Sequence, residues 1–399
     1  MNDPNRVRVT GPLALYAEGF REALEARGYA PGTVALQLQT AAQLSRWLAA
    51  QDLDVGQLTS EVVQRFFTVR RERVQVLYVS PRALRVLFEH LDGLGVLPRR
   101  DAVPLTAVEL LVERYGHFLL VERACTAGTT RNYQHVAARF LSACSSAGVE
   151  VADIDAVVIA RFVTGECAGK TKGWAKKVTT CLRSLLRFLL VENLIGVSLA
   201  NSVPSAAGWN LASLPKALTP EALAAVLNSC DRQTSAGRRD YAVLVLGARL
   251  GLRAGEIAGL DLGDIDWTVG ELRVRGKGRR VDVLPLPTDV GDALADYVVN
   301  GRRPERGAVF RRIGAPHGRL HPATLSGIVY RACDRAGVAR VGTHRLRHTA
   351  ATLMLRAGGS LSEIAQVLRH QSPNTTAIYA KVDDRMLGEL ARPWPGGVS

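Results

Sequence analysis

Around residues 271–286 the apolar residues change their spacing. Leu272 and Val274, then Val281, Val283 and Leu284, alternate with polar or charged residues about the break Gly276-Lys277-Gly278-Arg279. Alternation bounded by glycine predicts a β-hairpin. Elsewhere the apolar residues recur at the ~3.6-residue period of helices, as in Tyr133, Val136, Ala137, Phe140 and Leu141. Such a chain is expected to be mainly α and multidomain. Helical N-terminal modules should precede a mixed α/β, mostly helical C-terminal piece with one small antiparallel sheet.

Two stretches read as linkers: Leu97 to Pro104, and Asn201 to Pro215 with Ser202, Pro204, Ser205, Gly208 and Ser213. They divide the 399 residues into a helical module over 1–103, a second over 107–200, a linker over 201–217 and a last piece over 218–399. The first two pieces read as copies. A shift of 96 residues aligns Thr33 with Thr129, Ala41-Ala42 with Ala137-Ala138, Leu58 with Ile154 and Arg65-Phe66 with Arg161-Phe162. A shift of 98 then aligns Leu84-Arg85 with Leu182-Arg183, Leu87 with Leu185 and Leu91 with Leu189. The last piece opens on a helix start, Thr219-Pro220-Glu221.

The formal net charge is +14. Lysine and arginine in such excess favour a polyanion, with double-stranded DNA the leading candidate. The six cysteines are scattered without a CxxC pair, which fits reduced thiols in a cytoplasm. His344 and His348 have the separation of a zinc helix, yet Arg345 and Arg347 between them repel a cation and the HExxH glutamate is missing, so no metal is expected. The most apolar run, Tyr241 to Leu252, is too short for a membrane span and contains Arg249. The opening residues suggest neither signal peptide nor anchor.

Thr343-His344-Arg345-Leu346-Arg347-His348, Leu368-Arg369-His370 and then Tyr379 gather imidazoles, an arginine and a phenol in one C-terminal stretch. Gly251-Leu252-Arg253-Ala254-Gly255-Glu256 adds a second arginine, and Gly276-Lys277-Gly278 presents a lysine between glycines. In order and spacing these five elements resemble the tyrosine recombinase (phage integrase) family, over roughly residues 107–390. Residues 107–200 resemble its helical core-binding domain, and 218–399 its catalytic domain with a C-terminal tail. The first module is then a second DNA-contacting or partner-contacting unit.

Attack on a phosphodiester builds negative charge on the non-bridging oxygens, which a planar, permanently charged guanidinium stabilises best. Arg253 and Arg347 are the expected clamps. Leu346, Ala350, Leu353 and Ala357 form the apolar stripe of the Arg347 helix, with Arg347 reaching out at its edge. Ser360-Leu361-Ser362-Glu363 reads as a capping box for the next helix, and a third short helix from Ser372-Pro373 carries Tyr379. Tyr379 resembles the family's nucleophile, and an ordinary phenol needs nearby cations or a base to ionise. His344 fits a base or proton-positioning role, His370 a donor to the phosphate, and Lys277 the acid that protonates the departing 5′ oxygen. Glu256 is expected to orient neighbours and His348 to support the arginine helix. Arg275, Arg279 and Arg280 are candidate phosphate contacts.

The resemblance implies a site-specific recombinase or integrase acting through a 3′-phosphotyrosyl link without ATP, metal or other cofactor. It also implies a homotetramer on two DNA sites, with accessory DNA-bending or directionality proteins as further partners, no membrane, and a cytoplasmic, nucleoid-associated location. Type IB topoisomerase-like relaxation and a non-catalytic DNA-binding protein of the same fold are the alternatives. Trp394 in the tail is a candidate contact to a neighbouring protomer. One departure stands out: Arg369 occupies a place where the family usually has glycine. Either residue 369 is right-handed, or His370 is slightly displaced.

Overall fold

The protein was analysed as a computed structural model that describes residues 4, 7–73, 84–98, 105–204, 217–276, 280–369 and 379. It packs into two compact units, residues 99–212, and residues 1–98 together with 213–399. The first helical piece, separated by a linker in the sequence, thus falls in the same unit as the C-terminal piece. Among the described residues no helix is long and apolar enough to cross a membrane.

The first unit to be described, residues 99–212, has four principal helices: α5 (Ala107–Val121), α6 (Ala127–Ser146), α7 (Ala156–Cys167) and α8 (Lys172–Val191). Each begins where a short polar side chain accepts a hydrogen bond from the first turn: Thr106, Thr126, Asp155 and Thr171. Thr106 and Glu109 complete a reciprocal capping box. Tyr115, Phe140, Leu185, Phe188 and Leu189 fill the core, with Phe140 and Phe162 edge to face at 5.0 Å.

Residues 1–98 carry α1 (Ala17–Ala26), α2 (Pro31–Ala50), α3 (Ser60–Arg73) and α4 (Arg85–Gly93) around a core of their own that includes Phe20, Leu24, Leu44, Leu48 and Phe67. The spacing matches the second module. α2 and α6 each run 20 residues and begin 96 apart, as do α3 and α7 and the short 3-10 turns at Val55–Gln57 and Val151–Asp153. Positions equivalent at that shift are buried in both, Leu44 with Phe140, Leu58 with Ile154 and Val63 with Ile159. At a shift of 98 the same holds for Leu84 with Leu182, Leu87 with Leu185 and Leu91 with Leu189.

In residues 213–399, α9 (Pro220–Asn228) is capped by Thr219 with proline in the first turn. α10 (Ser235–Arg249) is buried along most of its length, because Ala242, Val243, Leu244, Val245, Leu246 and Ala248 supply apolar contact on every side. α11 (Ala254–Gly259) leads to the sheet, β1 (Ile265–Asp266), β2 (Glu271–Arg275) and β3 (Val281–Pro285), antiparallel in the order β1-β2-β3. The hairpin is present, but its apolar side is narrower than the alternation suggests. Val283 and Leu284 are neighbours and must face opposite ways. The register pairs Leu284 with Leu272 on the buried face, and Val281 and Val283 are left 54% and 53% exposed. The chain continues through α12 (Thr288–Asp296), α13 (Pro322–Arg335), α14 (Thr343–Arg356) and α15 (Leu361–Val367). Gly358, at φ +93, breaks the chain between the last two, and Ser360 with Glu363 forms the expected capping box.

Candidate active site

Arg253 is the N-cap residue of α11, placed there by the turn that ends α10. That turn depends on Gly251, whose φ is +59 and where a Cβ would lie 2.3 Å from the Leu368 side chain. Gly251→Ala combines a left-handed alanine with a clash into a packed leucine, so it should destabilise the protein by about 2–4 kcal/mol. Urea unfolding of the two proteins measures this.

Glu256, one turn along α11, holds Arg253 twice. Its Oε2 accepts from the Arg253 backbone N–H at 2.8 Å, and its Oε1 from Nη1 at 2.6 Å. Burial alone would raise the Glu256 pKa, but the Arg253 N–H and the charges of Arg369 and Arg253 hold it below the usual carboxylate value. The Arg253 side chain remains 42% exposed. A fixed but accessible fork is what a phosphate requires.

Arg347 lies deeper than its place beside the apolar stripe predicts. It is 2% exposed, with Nη1 donating to Gly251 O at 2.6 Å and Nη2 to Leu368 O. The expectation that it reaches out at the helix edge is therefore corrected. Two carbonyls, contributed by the α10–α11 turn and the end of α15, draw the guanidinium inward. Burial, then the charge of Arg253, lowers its pKa to about 10, so it remains charged at neutrality. Two of the five N–H groups of an arginine serve these carbonyls.

Tyr379 is 1% exposed, its ring packed with Ala351, Ile364 and Leu368. Burial pushes its pKa up to about 12, against the opposing charge of Arg347. Its Oη lies 2.7 Å from Nδ1 of His348. His348, read from the sequence as a support for the arginine helix, is thus in direct contact with the phenol. The signal was the four-residue spacing from His344, which puts both imidazoles on one face of α14, with ring centroids 4.7 Å apart. Burial first, and then His344, Arg345 and Arg347, lower the His348 pKa to about 4. The ring is therefore neutral, and its tautomer decides whether Nδ1 accepts from the phenol O–H or donates Nδ1–H to the phenol oxygen. For His344, burial followed by the charges of Arg347 and Arg253 also lowers the pKa.

A histidine with a folded pKa below its unfolded value takes up protons on unfolding. His348 should cost stability as pH falls from about 6.5 towards 4, with no contribution above that window. His348→Gln, whose amide oxygen can still accept from the phenol, should flatten this part of the curve in urea melts taken at successive pH values.

Arg369 has φ +54, so the right-handed alternative raised by the sequence is overturned. A left-handed arginine costs about 1–2 kcal/mol. Its side chain turns into the protein, where Nη2 donates to Glu256 Oε2 at 2.7 Å and Nη1 to Val367 O at 2.9 Å. Its carbonyl lies 3.4 Å from Arg253 Nη2.

Of the candidate phosphate contacts, Arg275 pairs with the buried Asp264 at 2.5 Å and lies 3.7 Å from Asp261, anchoring the hairpin to the turn before β1. Arg280 pairs with Asp282 at 2.7 Å and is largely exposed. Lys277, Arg279, His370 and the helix expected from Ser372 lie outside the described residues, as does Trp394. Among the described residues no cluster of histidine, cysteine or carboxylate side chains is arranged to hold a metal ion.

The described residues thus bring together arginines on two segments, a carboxylate that fixes one of them, and a buried phenol against an imidazole. Residues 216–386 match the Phage integrase family. A putative integrase/recombinase of Sinorhizobium fredii, y4rA, is 39% identical over 393 residues, covering 97% of this chain and 95% of its own. Tyrosine recombinase XerD of Mycobacterium leprae is 28% identical over 314 residues, covering 73% of this chain and 97% of its own. In fold, XerH bound to palindromic difH aligns with a TM-score of 0.56 at 20% identity, over 90% of this chain and 95% of that one. A lambda integrase dimer bound to a COC′ core site aligns at 0.53 and 17% identity, over 80% and 91%. The chain belongs to the phage integrase family, the tyrosine recombinases.

Proposed function

We propose that the protein is a site-specific DNA recombinase in which Tyr379 attacks a chosen phosphate of double-stranded DNA. The Tyr379 Oη–phosphorus bond forms, the bond from phosphorus to the 5′ oxygen breaks, and the products are a 3′-phosphotyrosyl link and a 5′-hydroxyl. The observation that carries this reading is the Tyr379 phenol on Nδ1 of His348, one residue from the buried Arg347. His344 serves as the base or proton-positioning group, and His348 orients the phenol through their 2.7 Å contact. Arg253, Arg347 and His370 stabilise the charge that develops on the non-bridging oxygens, and Lys277 supplies the proton to the departing oxygen. The phosphotyrosyl ester retains the bond energy of the phosphodiester. Resealing therefore proceeds without ATP or metal.

Rejoining to a different 5′ end exchanges strands, which we assign to a homotetramer holding two sites. Supporting this, XerH and XerD are recombinases by name and the lambda protein an integrase, and the XerH and lambda integrase structures are bound to DNA sites. We further infer that the N-terminal module is a duplicate of the core-binding domain. In its sequence Val74, Tyr78 and Val79 replace Lys172, Lys176 and Lys177 of the second module at the 98-residue shift. Loss of those charges removes phosphate attraction, so the first module is assigned to protein contacts and the second to DNA.

The test is to trap covalent complexes in cells and sequence the DNA ends attached to protein. Ends clustered at one sequence, 3′-linked with free 5′-hydroxyls, are expected. Ends spread over the genome would instead fit relaxation without site choice, and their absence would fit a binding protein.

A further inference from the structure

The guanidinium of Arg369 is buried against Glu256, on the side of the carboxylate away from Arg253 Nη1. Three unfavourable features meet there: a left-handed backbone, a charge whose side chain is 5% exposed, and an Nε–H with no acceptor among the described residues. A strained, desolvated charge persists only where its surroundings hold it, and such positions gather at functional sites. Here the holder is Glu256. One of its oxygens, Oε2, receives both the Arg253 backbone N–H at 2.8 Å and Arg369 Nη2 at 2.7 Å, while Oε1 receives Arg253 Nη1 at 2.6 Å.

We propose that Arg369 is a positioning residue which, by fixing Glu256 from the far side, locks the orientation in which Arg253 offers its fork to the scissile phosphate. The inference rests on the recombinase reading for what Arg253 does, though not for the Arg369–Glu256 bond itself. The geometry of the lock is simple. Without Arg369, the donors left to Glu256 among the described residues are those of Arg253, and carboxylate and guanidinium can swing together. With Arg369, Oε2 is held between groups from α11 and from the end of α15, and the Arg369 carbonyl lies 3.4 Å from the other Arg253 terminal nitrogen. Residue 369 thus touches Arg253 by its carbonyl and Glu256 by its side chain. Glycine at 369 would provide the carbonyl and the left-handed turn, but not the lock.

The experiment compares wild type, Arg369→Gly, Glu256→Gln and the double variant on a nicked suicide substrate, under single turnover with saturating protein. Arg369→Gly relieves the backbone, so its unfolding midpoint should be close to wild type. Its covalent cleavage should nevertheless slow by about 10-fold or more, as expected for loosened alignment, with DNA affinity nearly unchanged. Added methylguanidinium should recover part of the rate by occupying the vacated site. In the Glu256→Gln background the glycine substitution should add little. Wild-type cleavage by Arg369→Gly, or an undiminished loss in the Glu256→Gln background, overturns the proposal. If Arg369→Gly does not fold, Arg369→Lys carries the same cycle: it keeps one charge for Glu256 and should cleave at an intermediate rate, and wild-type or additive behaviour again overturns it. Urea melts of the same four proteins without DNA report the Arg369–Glu256 coupling independently. Coupling there, with no adduct from wild type, would count against the recombinase reading and not against the bond.

Discussion

Tyr379→Phe should abolish covalent capture of DNA while leaving DNA affinity and fold nearly intact. The phenyl ring fills the same apolar niche among Ala351, Ile364 and Leu368, so no cavity opens. What is lost is one oxygen, and with it the 2.7 Å contact with His348 among others. Removing a hydroxyl whose partner is a half-buried imidazole costs about 1 kcal/mol, a small part of the stability of such a domain. Chemically the loss is complete, because no other atom of the residue can form a phosphoester. Gel-shift affinity within about twofold of wild type, with no protein–DNA adduct on a suicide substrate, is the expected pair of results. An adduct at the wild-type level would remove Tyr379 from the chemistry.

Arg347→Lys should combine a kinetic with a structural defect. The lysine keeps the charge but cannot donate to Gly251 O and Leu368 O at once while also presenting a fork to phosphate. Loss of a preorganised donor of this kind costs roughly 10²–10³-fold in rate. A buried carbonyl left unpaired costs about 1–3 kcal/mol in stability. Single-turnover cleavage and urea unfolding of one preparation separate the two. Arg253, more exposed and held chiefly through Glu256, should show the rate defect with a smaller loss of stability when changed to lysine.

The local features were readable where a few adjacent residues decide them. Thr219-Pro220-Glu221 and Ser360 to Glu363 start helices because their side chains reach backbone donors three residues away. The spacing of the two modules was readable because buried positions recur. The hairpin was legible as a hairpin, but not which of Val283 and Leu284 faces inward, since this follows from the register with β2. The depth of Arg347 was hidden for a similar reason: its partners lie 96 and 21 residues away in sequence. Arg369 reads as an obstacle to the left-handed turn until Glu256, 113 residues away, is seen to receive its side chain. The spacing of His348 from His344 is legible, but its contact with Tyr379, 31 residues away, is not.

The most direct test of the account is mass spectrometry of the peptide that remains linked to DNA after a suicide substrate traps the complex and protease and nuclease trim it. A single modified peptide bearing a 3′-nucleotide on the Tyr379 oxygen is predicted. A nucleotide on any other side chain, or a linkage through the 5′ end of the DNA, would contradict it.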